Sequence, residues 1–281
     1  MFPIEKLNKI PYRLQEIGDP PKSLYIQGEF PDEEMKFLMV VGSRKHSTYG
    51  KMVCEKLVEK LAGYPIVIVS GMALGIDAIA HESAIRAGLK TIAIPGSGLD
   101  KKVLYPKSNF NLSKKILESG GCLLSEFEPD FKATNWSFIK RNRIGAGLSD
   151  AVLLIEAEEK SGTLTSARFA IDYNREVMVI PGNINSPTSK GTNNLLRDGA
   201  TPVLKSKDIL EALGLSAKEE KEVSVNLPEE ESLVYEILTE PKSKEEICDK
   251  LDKNIKDINV LVSMLELRGL VKENDGKIER L

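Results

Sequence analysis

The stretch Phe37-Leu-Met-Val-Val41, followed directly by Gly42-Ser-Arg44, guides the interpretation of the fold of this 281-residue chain. Five consecutive apolar residues indicate a strand that is buried on both faces, as in a parallel sheet covered by helices. Beyond the glycine turn, apolar residues recur at helical spacing from Thr48 to Leu61. A strand, a glycine turn and a helix in this order predict one unit of an α/β domain.

The same pattern recurs along the chain. Further strands are predicted at 66–69, 91–94, 122–124, 151–155 and 177–180, and further helices at 76–87, 135–147 and 163–174. Apolar strands joined by helices predict an α/β domain of extended Rossmann-like type, with a doubly wound, mostly parallel sheet, over residues 36–213. We expect residues 1–35 to form an N-terminal extension packed on this core.

The composition changes after Leu213. The polar and charged stretch 214–224 predicts a linker. Helical patterns follow at 229–238, 243–251 and 255–268, and two short strands flank the turn Asn274-Asp-Gly276. Three helices and a hairpin predict a small C-terminal winged-helix domain over residues 225–281.

The charge of the chain is divided unevenly between these parts. The formal net charge is −3, but residues 36–213 carry +6 and residues 225–281 carry −5. A basic core is compatible with a polyanionic partner, which the sum alone would not suggest. The acidic tail fits poorly with DNA binding of its own, so we expect an interaction or regulatory role there.

Several classes of protein are disfavoured. No window of 18 apolar residues predicts a membrane span, and the N-terminus lacks the pattern of a secretion signal. Cys54, Cys122 and Cys248 are odd in number and far apart, which favours a reducing cytoplasm. The two histidines, His46 and His81, form no cluster with cysteine at metal-ligand spacing, so we expect no metal and no cofactor.

Three glycine-rich turns follow predicted strands, where doubly wound sheets bind their ligands. Gly42-Ser43-Arg44 offers backbone N–H groups and a bidentate phosphate partner, and Ser47 can add a hydrogen bond. The glycines of the second turn, Gly71 and Gly75, are four apart and lack the spacing of a dinucleotide fingerprint. The third turn, at Ser161-Gly162-Thr163, lies where a loop enters a helix, and no P-loop motif occurs. Glycines also permit tight turns in any such sheet, so these loops indicate an anion without identifying it.

The segment Trp136-Ser-Phe138-Ile-Lys140-Arg-Asn-Arg143 combines three cations with two aromatic residues. Cations that bind phosphates and rings that stack on bases are typical of proteins that bind single-stranded nucleic acid. Such a run is also typical of a solvated helix face, and bulky aromatic residues are usually buried. We expect Trp136 to be a core anchor, and the cations at this helix start to face a polyanion.

Many motifs in a fixed order between about Pro20 and Leu213 resemble the DNA-processing protein A family (DprA, also called Smf). The matching segments are Val41-Gly-Ser-Arg44, Ser47-Thr-Tyr-Gly50, Ser70-Gly-Met-Ala-Leu-Gly-Ile-Asp77, Gly98-Leu-Asp100, Tyr105-Pro106, Ser125-Glu126, Phe138-x-x-Arg141-Asn-Arg143, Ser161-Gly-Thr-Leu-x-Thr165, Pro181-Gly182 and Gly191-Thr-Asn. The resemblance implies a Rossmann-like protein that binds single-stranded DNA in the bacterial cytoplasm. It further implies a homodimer that protects incoming strands during natural transformation and helps load the RecA recombinase.

The resemblance also implies DNA-binding positions. It assigns phosphate binding to Gly42-Ser-Arg44, further DNA contacts to Phe138-x-x-Arg141-Asn-Arg143, and a place near the same groove to Lys107. With the loops and cations above, the predicted DNA-binding residues are Gly42, Ser43, Arg44, Ser47, Gly71, Lys107, Phe138, Lys140, Arg141, Asn142, Arg143, Ser161, Gly162 and Thr163. No catalytic residue is expected. Many family members carry an N-terminal helical domain, whereas only about 35 residues precede the first strand predicted here.

The alternative is a nucleotide-binding protein or a phosphoribohydrolase of the lysine decarboxylase-like type. The loop Ser161-Gly-Thr-Leu also resembles the Gly-Thr loop of those enzymes. Those enzymes need a glutamate just after the loop, where this chain has Thr165 and Ser166, and hydroxyls cannot do a carboxylate's acid–base work. Glu156, Glu158 and Glu159 precede the loop, and we expect them to be surface charges. His81 follows Asp77 at helical spacing, and we expect a structural role for it.

Overall fold

The computed structural model describes residues 2–217, 227–274 and 276–280. The chain divides into two compact units, one up to Ala217 and one beyond it. Over the described residues, the first unit is built on a nine-stranded sheet and the second on a three-stranded sheet. Within these ranges, no helix has both the length and the apolar character needed to cross a membrane.

The first predicted strand lies in the interior of the large sheet, at the middle of its seven parallel strands. In chain order its strands are β1 (Ile4–Lys6), β2 (Tyr25–Gly28), β3 (Lys36–Val41), β4 (Ile66–Ser70), β5 (Lys90–Ala93), β6 (Cys122–Ser125), β7 (Ala151–Leu154), β8 (Glu176–Val179) and β9 (Thr201–Pro202). Across the sheet the order is β1-β2-β6-β5-β4-β3-β7-β8-β9. The strands from β3 to β9 run parallel, and β1 and β2 add an antiparallel edge. The predicted Rossmann-like, mostly parallel sheet is confirmed.

Helices cover both faces of this sheet. They are α1 (Tyr12–Gln15), α2 (Thr48–Glu59), α3 (Ile76–Arg86), α4 (Phe110–Glu118), α5 (Asn135–Leu148), α6 (Thr163–Asp172), α7 (Lys190–Arg197) and α8 (Ser206–Ala212). Phe37 and Met39 of β3 belong to one apolar cluster with α5 and α6, whereas Leu38 and Val40 belong to another with α2 and α3. Because successive side chains of a strand point to opposite faces, β3 has to be apolar throughout.

The chain changes direction across the sheet at β3. β4, β5 and β6 lie on one side of β3, and β7, β8 and β9 lie on the other. The loops that leave the carboxyl ends of β3 and β7 therefore belong to two halves of the domain and enclose a crevice. Ligands of doubly wound sheets bind at such a switch point.

The residues before β3 are joined to the large sheet by β2, which pairs with β6, and by a buried arginine. The guanidinium of Arg13 donates to two carbonyl oxygens just before β3, and lies 3.3 Å from the carboxylate of Asp150. The same carboxylate accepts the N–H of Phe37 at 2.7 Å. One acidic side chain between α5 and β7 therefore ties the N-terminal residues to the start of β3.

The second unit consists of three helices and a small antiparallel sheet. Its elements are α9 (Glu229–Ile237), β10 (Lys242–Ser243), α10 (Lys244–Leu251), α11 (Ile255–Leu267), β11 (Val271–Asn274) and β12 (Lys277–Arg280), with β12 between β10 and β11. Val234, Ile247, Ile258 and Ile278 are fully buried in a core of its own. The predicted turn at 274–276 includes Asp275, which lies outside the described residues. The winged-helix assignment stays a prediction.

The predicted linker at 214–224 is described only in its first four residues, because 218–224 lie outside the described residues. In the described part, Leu215 and Ala217 pack against the apolar cluster beneath α2 and α3. These residues therefore continue the first unit.

We expect Asp150→Ala to destabilise the first unit by about 2 kcal/mol, because it leaves the buried Arg13 guanidinium without a counter-charge and the Phe37 N–H without an acceptor. Urea unfolding followed by circular dichroism measures this loss. Asp130→Ala, which removes an exposed carboxylate, is the control and should change the free energy of unfolding by less than about 0.5 kcal/mol. Equal stability of the two variants would contradict the role given to Asp150.

Candidate nucleic-acid interface

A cavity of about 550 Å³ lies at the switch point of the large sheet. The turn after β3, one face of α5 and the start of α6 form most of its wall. The predicted residues that line it are Gly42, Ser43, Arg44, Phe138, Arg141, Asn142, Ser161, Gly162 and Thr163. The fold therefore brings together three segments that are far apart in the sequence.

The turn after β3 is held by close contacts. A Cβ on Gly42 would lie 2.7 Å from Cγ1 of Ile76 at the start of α3, so this position has no room for a side chain. The Oγ of Ser43 accepts the N–H of Lys45 at 3.1 Å. The turn presents Arg44 and Lys45 as exposed side chains in the lining of the cavity.

These two cations lack acidic partners. In the described part of the chain, no ion pair involves Arg44 or Lys45. The Arg44 guanidinium lies 5.4 Å from the centroid of the Phe138 ring, which in turn packs 5.6 Å from the ring of Tyr105. Unpaired cations beside an aromatic ring are suited to a ligand that is both anionic and aromatic.

Arg141 forms a buried part of the cavity wall and is 7% exposed. Its Nη1 donates to the carbonyl oxygen of Ile94 at 2.9 Å and lies 3.7 Å from Oδ2 of Asp77. A Cβ on Gly71 would lie 1.2 Å from that nitrogen, so the guanidinium occupies space that only a glycine leaves open. Gly71 lines a smaller cavity next to the main one, where it makes room for Arg141.

Burial dominates the electrostatics of this pair. It raises the pKa of Asp77, and the Arg141 charge and backbone N–H groups oppose that rise. Burial also lowers the pKa of Arg141, which Asp77 counteracts and the nearby Arg44 charge reinforces. Arg44 and Arg141 line the same cavity with like charges, and an anion bound there would offset their repulsion.

The first turns of α5 are more exposed than predicted. Trp136 was expected to be a core anchor, but it is 49% exposed, so that expectation is wrong. The buried part of α5 is mainly its second half, where every residue from Ile144 to Leu148 is buried. The indole packs edge-on against Phe127 and Phe131, and the exposed Lys140 places its Nζ 5.6 Å from the indole centroid.

The start of α6 closes the cavity on the side of β7. The hydroxyl of Thr163 donates to the carbonyl oxygen of Gly42 at 3.2 Å, and the amide of Asn142 donates to that of Gly162 at 3.4 Å. The first N–H groups of α6, from Thr163 to Thr165, donate to Ser161 and Gly162 of the preceding loop. One turn further, Ser166 lines the cavity with a buried hydroxyl that has no partner among the described residues.

Among the predicted residues outside the cavity lining, Arg143 is engaged in the interior. It is 5% exposed, and its guanidinium donates to the Glu126 carboxylate and to the carbonyl oxygen of Asp19. These bonds fix α5 to the preceding loop and to the N-terminal residues. The structure therefore does not bring Arg143 together with the other cations, and its geometry is that of a structural side chain.

Besides Gly71, which lines the smaller cavity, the other predicted residues outside the lining are Ser47, Lys107 and Lys140. Ser47 caps α2: its Oγ accepts the N–H of Gly50 at 3.0 Å and donates to the carboxylate of Glu156 at 2.6 Å. Lys107 and Lys140 are exposed side chains.

Two further expectations concern Glu156 and His81. Glu156 was expected at the surface, but it is 2% exposed and accepts hydrogen bonds from Ser47 and Thr188, so that expectation is wrong. His81 hydrogen-bonds through Nδ1 to the hydroxyl of Thr91 at 2.7 Å. Burial and the Arg141 charge lower the pKa of His81 to about 3, so it is neutral near pH 7. That state suits a structural role.

Sequence reasoning missed part of the cavity wall. The additional lining residues are Val41, Lys45, Ala73, Asp77, Asn135, Ile139, Glu158 and Ser166. Lys45 directly follows the predicted Arg44, and Ser166 lies one helical turn after the predicted Thr163. Their positions in the sequence could therefore have indicated that they line the cavity. Glu158 could not be predicted in this way, because a carboxylate repels anions and is not expected to line an anion-binding site.

Comparison with known proteins gives the same family that the motifs resemble. A family model described as DNA recombination-mediator protein A matches residues 4–214. Protein Smf of Escherichia coli (strain K12) is 34% identical over 284 aligned residues, which cover 96% of this chain and 75% of that protein. DNA processing protein DprA of Streptococcus pneumoniae is 40% identical over 200 residues, or 71% of this chain and 70% of that protein.

Solved structures extend the similarity to the fold. The X-ray structure of DprA from S. pneumoniae aligns with a TM-score of 0.69 and 38% identity, covering 75% of this chain and 74% of that one. DNA processing protein A from Helicobacter pylori, described for its single-stranded DNA binding mode, aligns with a TM-score of 0.69 and 36% identity over 75% of this chain and 96% of that one.

We expect Gly71→Ala to destabilise the first unit by about 2 kcal/mol, because the new Cβ takes space that the Arg141 guanidinium occupies. Urea unfolding again provides the measurement. Gly18→Ala is the matched control, since a Cβ at Gly18 meets nothing within 4 Å and should leave stability unchanged or slightly raised. If both substitutions changed the free energy of unfolding equally, the contact between Gly71 and Arg141 would not contribute to stability as proposed.

Proposed function

The chain belongs to the DNA recombination-mediator protein A family, and we propose that it binds single-stranded DNA and acts as a recombination mediator. The H. pylori relative supports the first part of this proposal through the single-stranded DNA binding for which it is described. The cavity supports it independently, because its residues suit an unpaired strand.

The observation that carries the proposal is an arginine without an acidic partner beside an aromatic ring at the switch point, with a second unpaired cation next to it in the chain. Arg44 and Lys45 have no acidic partners in the described ranges, and both line the cavity. A phosphate accepts two hydrogen bonds from an arginine fork, and the ring of Phe138 offers a surface to a base. A duplex keeps its bases stacked internally, so an unpaired strand should be preferred.

Within this arrangement the predicted residues divide by role. We assign phosphate binding to Arg44 and to the backbone of the turn after β3. Lys107 and Lys140 are exposed and can contact phosphates outside the cavity. For Ser47 and Arg143 we propose structural roles, because their polar atoms are bonded within the protein.

We further propose a cytoplasmic homodimer that protects incoming strands during natural transformation and helps load the RecA recombinase. These expectations come from the family resemblance. No catalytic step is part of the proposal, and the mediator role needs no cofactor.

The phosphoribohydrolase alternative is not favoured. Those enzymes need a glutamate just after the loop, where this chain has Thr165 and Ser166, and a hydroxyl cannot replace its acid–base work. Asp77 is buried against Arg141, and Glu158 precedes the loop rather than following it. The relatives described above are named for DNA processing instead.

For the second unit we propose a role in interaction or regulation. Residues 225–281 carry a net charge of −5, which opposes binding to a polyanion. Its helix α11 exposes Val260, Met264 and Leu267 instead of a row of cations. Such a helix is better suited to a protein surface than to a DNA groove.

We expect Arg44→Ala to weaken binding to oligo-dT about tenfold and to reduce the slope of log affinity against log salt by about 0.7, because one phosphate contact is lost. Titrations of a labelled oligonucleotide at several salt concentrations measure both quantities.

The matched control for this experiment is Arg86→Ala. Arg86 is the last residue of α3, whereas the cavity adjoins the start of that helix, and its guanidinium pairs with Glu55 and Glu59. Its replacement should leave affinity and salt slope unchanged. Unchanged binding by Arg44→Ala would contradict the assignment of the cavity.

A chain that ends at Ala217 should bind oligo-dT with an affinity within about threefold of the full chain, because the basic charge and the cavity both belong to the first unit. The same titration on both proteins tests this. A larger loss would assign DNA contacts to the second unit.

A further inference from the structure

One aromatic residue and one cation on α5 lie just outside the cavity. Trp136 and Lys140 are one helical turn apart and both are exposed. Building on the proposed function, we propose that they form a separate subsite that takes one unpaired base and its phosphate from the strand leaving the cavity. The base stacks on the indole, and the ammonium group binds the phosphate.

The indole is held as a fixed platform. Trp136 packs edge-on against Phe127 and Phe131, at centroid distances of 5.6 and 5.7 Å and interplanar angles of 79° and 64°. The two phenyl rings stack on each other at 4.5 Å, and Phe127 is buried. About half of the indole surface nevertheless stays exposed. A platform that is already in position loses little conformational entropy when a base binds.

The surface between the cavity and this platform is continuous. Asn135 and Ile139 line the cavity, and they neighbour Trp136 on α5 at positions i−1 and i+3. Ile139 is 52% exposed, so a strand that leaves the ring of Phe138 crosses an apolar side chain before it meets the indole. Single-strand binding proteins combine a basic track with successive stacking surfaces in this way.

Lys140 supplies the charge at this subsite. Its Nζ lies 5.6 Å from the indole centroid, and no acidic partner pairs with it in the ranges that the structure describes. A cation–π contact of an exposed lysine is weak and easily exchanged. A base that stacks on the indole therefore leaves the ammonium group free to bind the adjoining phosphate.

Trp136 is the single tryptophan of the chain, so tryptophan emission, excited selectively over tyrosine, comes from this subsite alone. The full chain is titrated with labelled oligo-dT of about 15 nucleotides, a length within the range of site sizes of such proteins. Tryptophan emission and the anisotropy of the label are recorded on the same samples. We expect quenching that saturates together with the anisotropy, and reduced quenching of the bound protein by acrylamide.

The two signals separate the two proposals. Bound oligonucleotide with unchanged tryptophan emission and unchanged acrylamide access would overturn the subsite and leave the proposed function intact. Absence of binding in the anisotropy would overturn both.

Substitutions of Trp136 test whether binding of the oligonucleotide depends on an aromatic face or only on the volume of the side chain. We expect Trp136→Leu to weaken oligo-dT binding about tenfold, and Trp136→Phe to stay within about threefold of the wild type, since phenylalanine retains a stacking face. Thermal unfolding of both variants provides the structural control. Equal affinities of the two variants, whether both lowered or both unchanged, would overturn the subsite.

Discussion

The buried guanidinium of Arg141 is the constraint on which the cavity depends. It bonds to the carbonyl oxygen of Ile94, faces Asp77 and occupies the space beside Gly71, so one side chain from α5 connects the ends of β4 and β5 with the start of α3. A charged group can be buried in this way only when its partners are buried with it. The glycine turn after β4 is therefore part of how α5 is held, in addition to being a turn.

The cavity follows from this support and from the sheet topology. β3 lies where the strand order reverses, so the turn that carries Arg44 and the loop that leads into α6 separate from each other. Two hydrogen bonds to Gly42 and Gly162 join these loops to each other and to α5. The phosphate-binding candidates are thus supported by strands and helices, while Arg44 and Lys45 keep free side chains. Rigid backbone with unpaired cations is the combination that a tight but exchangeable anion site requires.

The sequence predicted the elements whose signals are local and strong. The strands around Phe37, Ile66 and Ala151 are apolar runs, and their helices show clear periodicity, so both were found to within a few residues. α4, α7 and α8 were not predicted, although α9 and α10, which are of similar length, were. Local chemistry could not reveal that Arg143 and Glu156 are buried, because their partners, Glu126 and Ser47, lie in other elements. The exposure of Trp136 was missed for a related reason: burial is a property of the packed helix, not of the residue type.

The proximity of Arg44 to Arg141 has a thermodynamic consequence. In the unbound protein these like charges raise the free energy of the folded state, since the Arg44 charge already lowers the pKa of the buried arginine. A bound polyanion removes that penalty from the folded chain but has no comparable site on the unfolded one. Folding and DNA binding are therefore linked equilibria, and a bound strand raises the free energy of unfolding of the domain. Low salt strengthens the repulsion between the two arginines, so it increases the stabilisation that a bound strand provides.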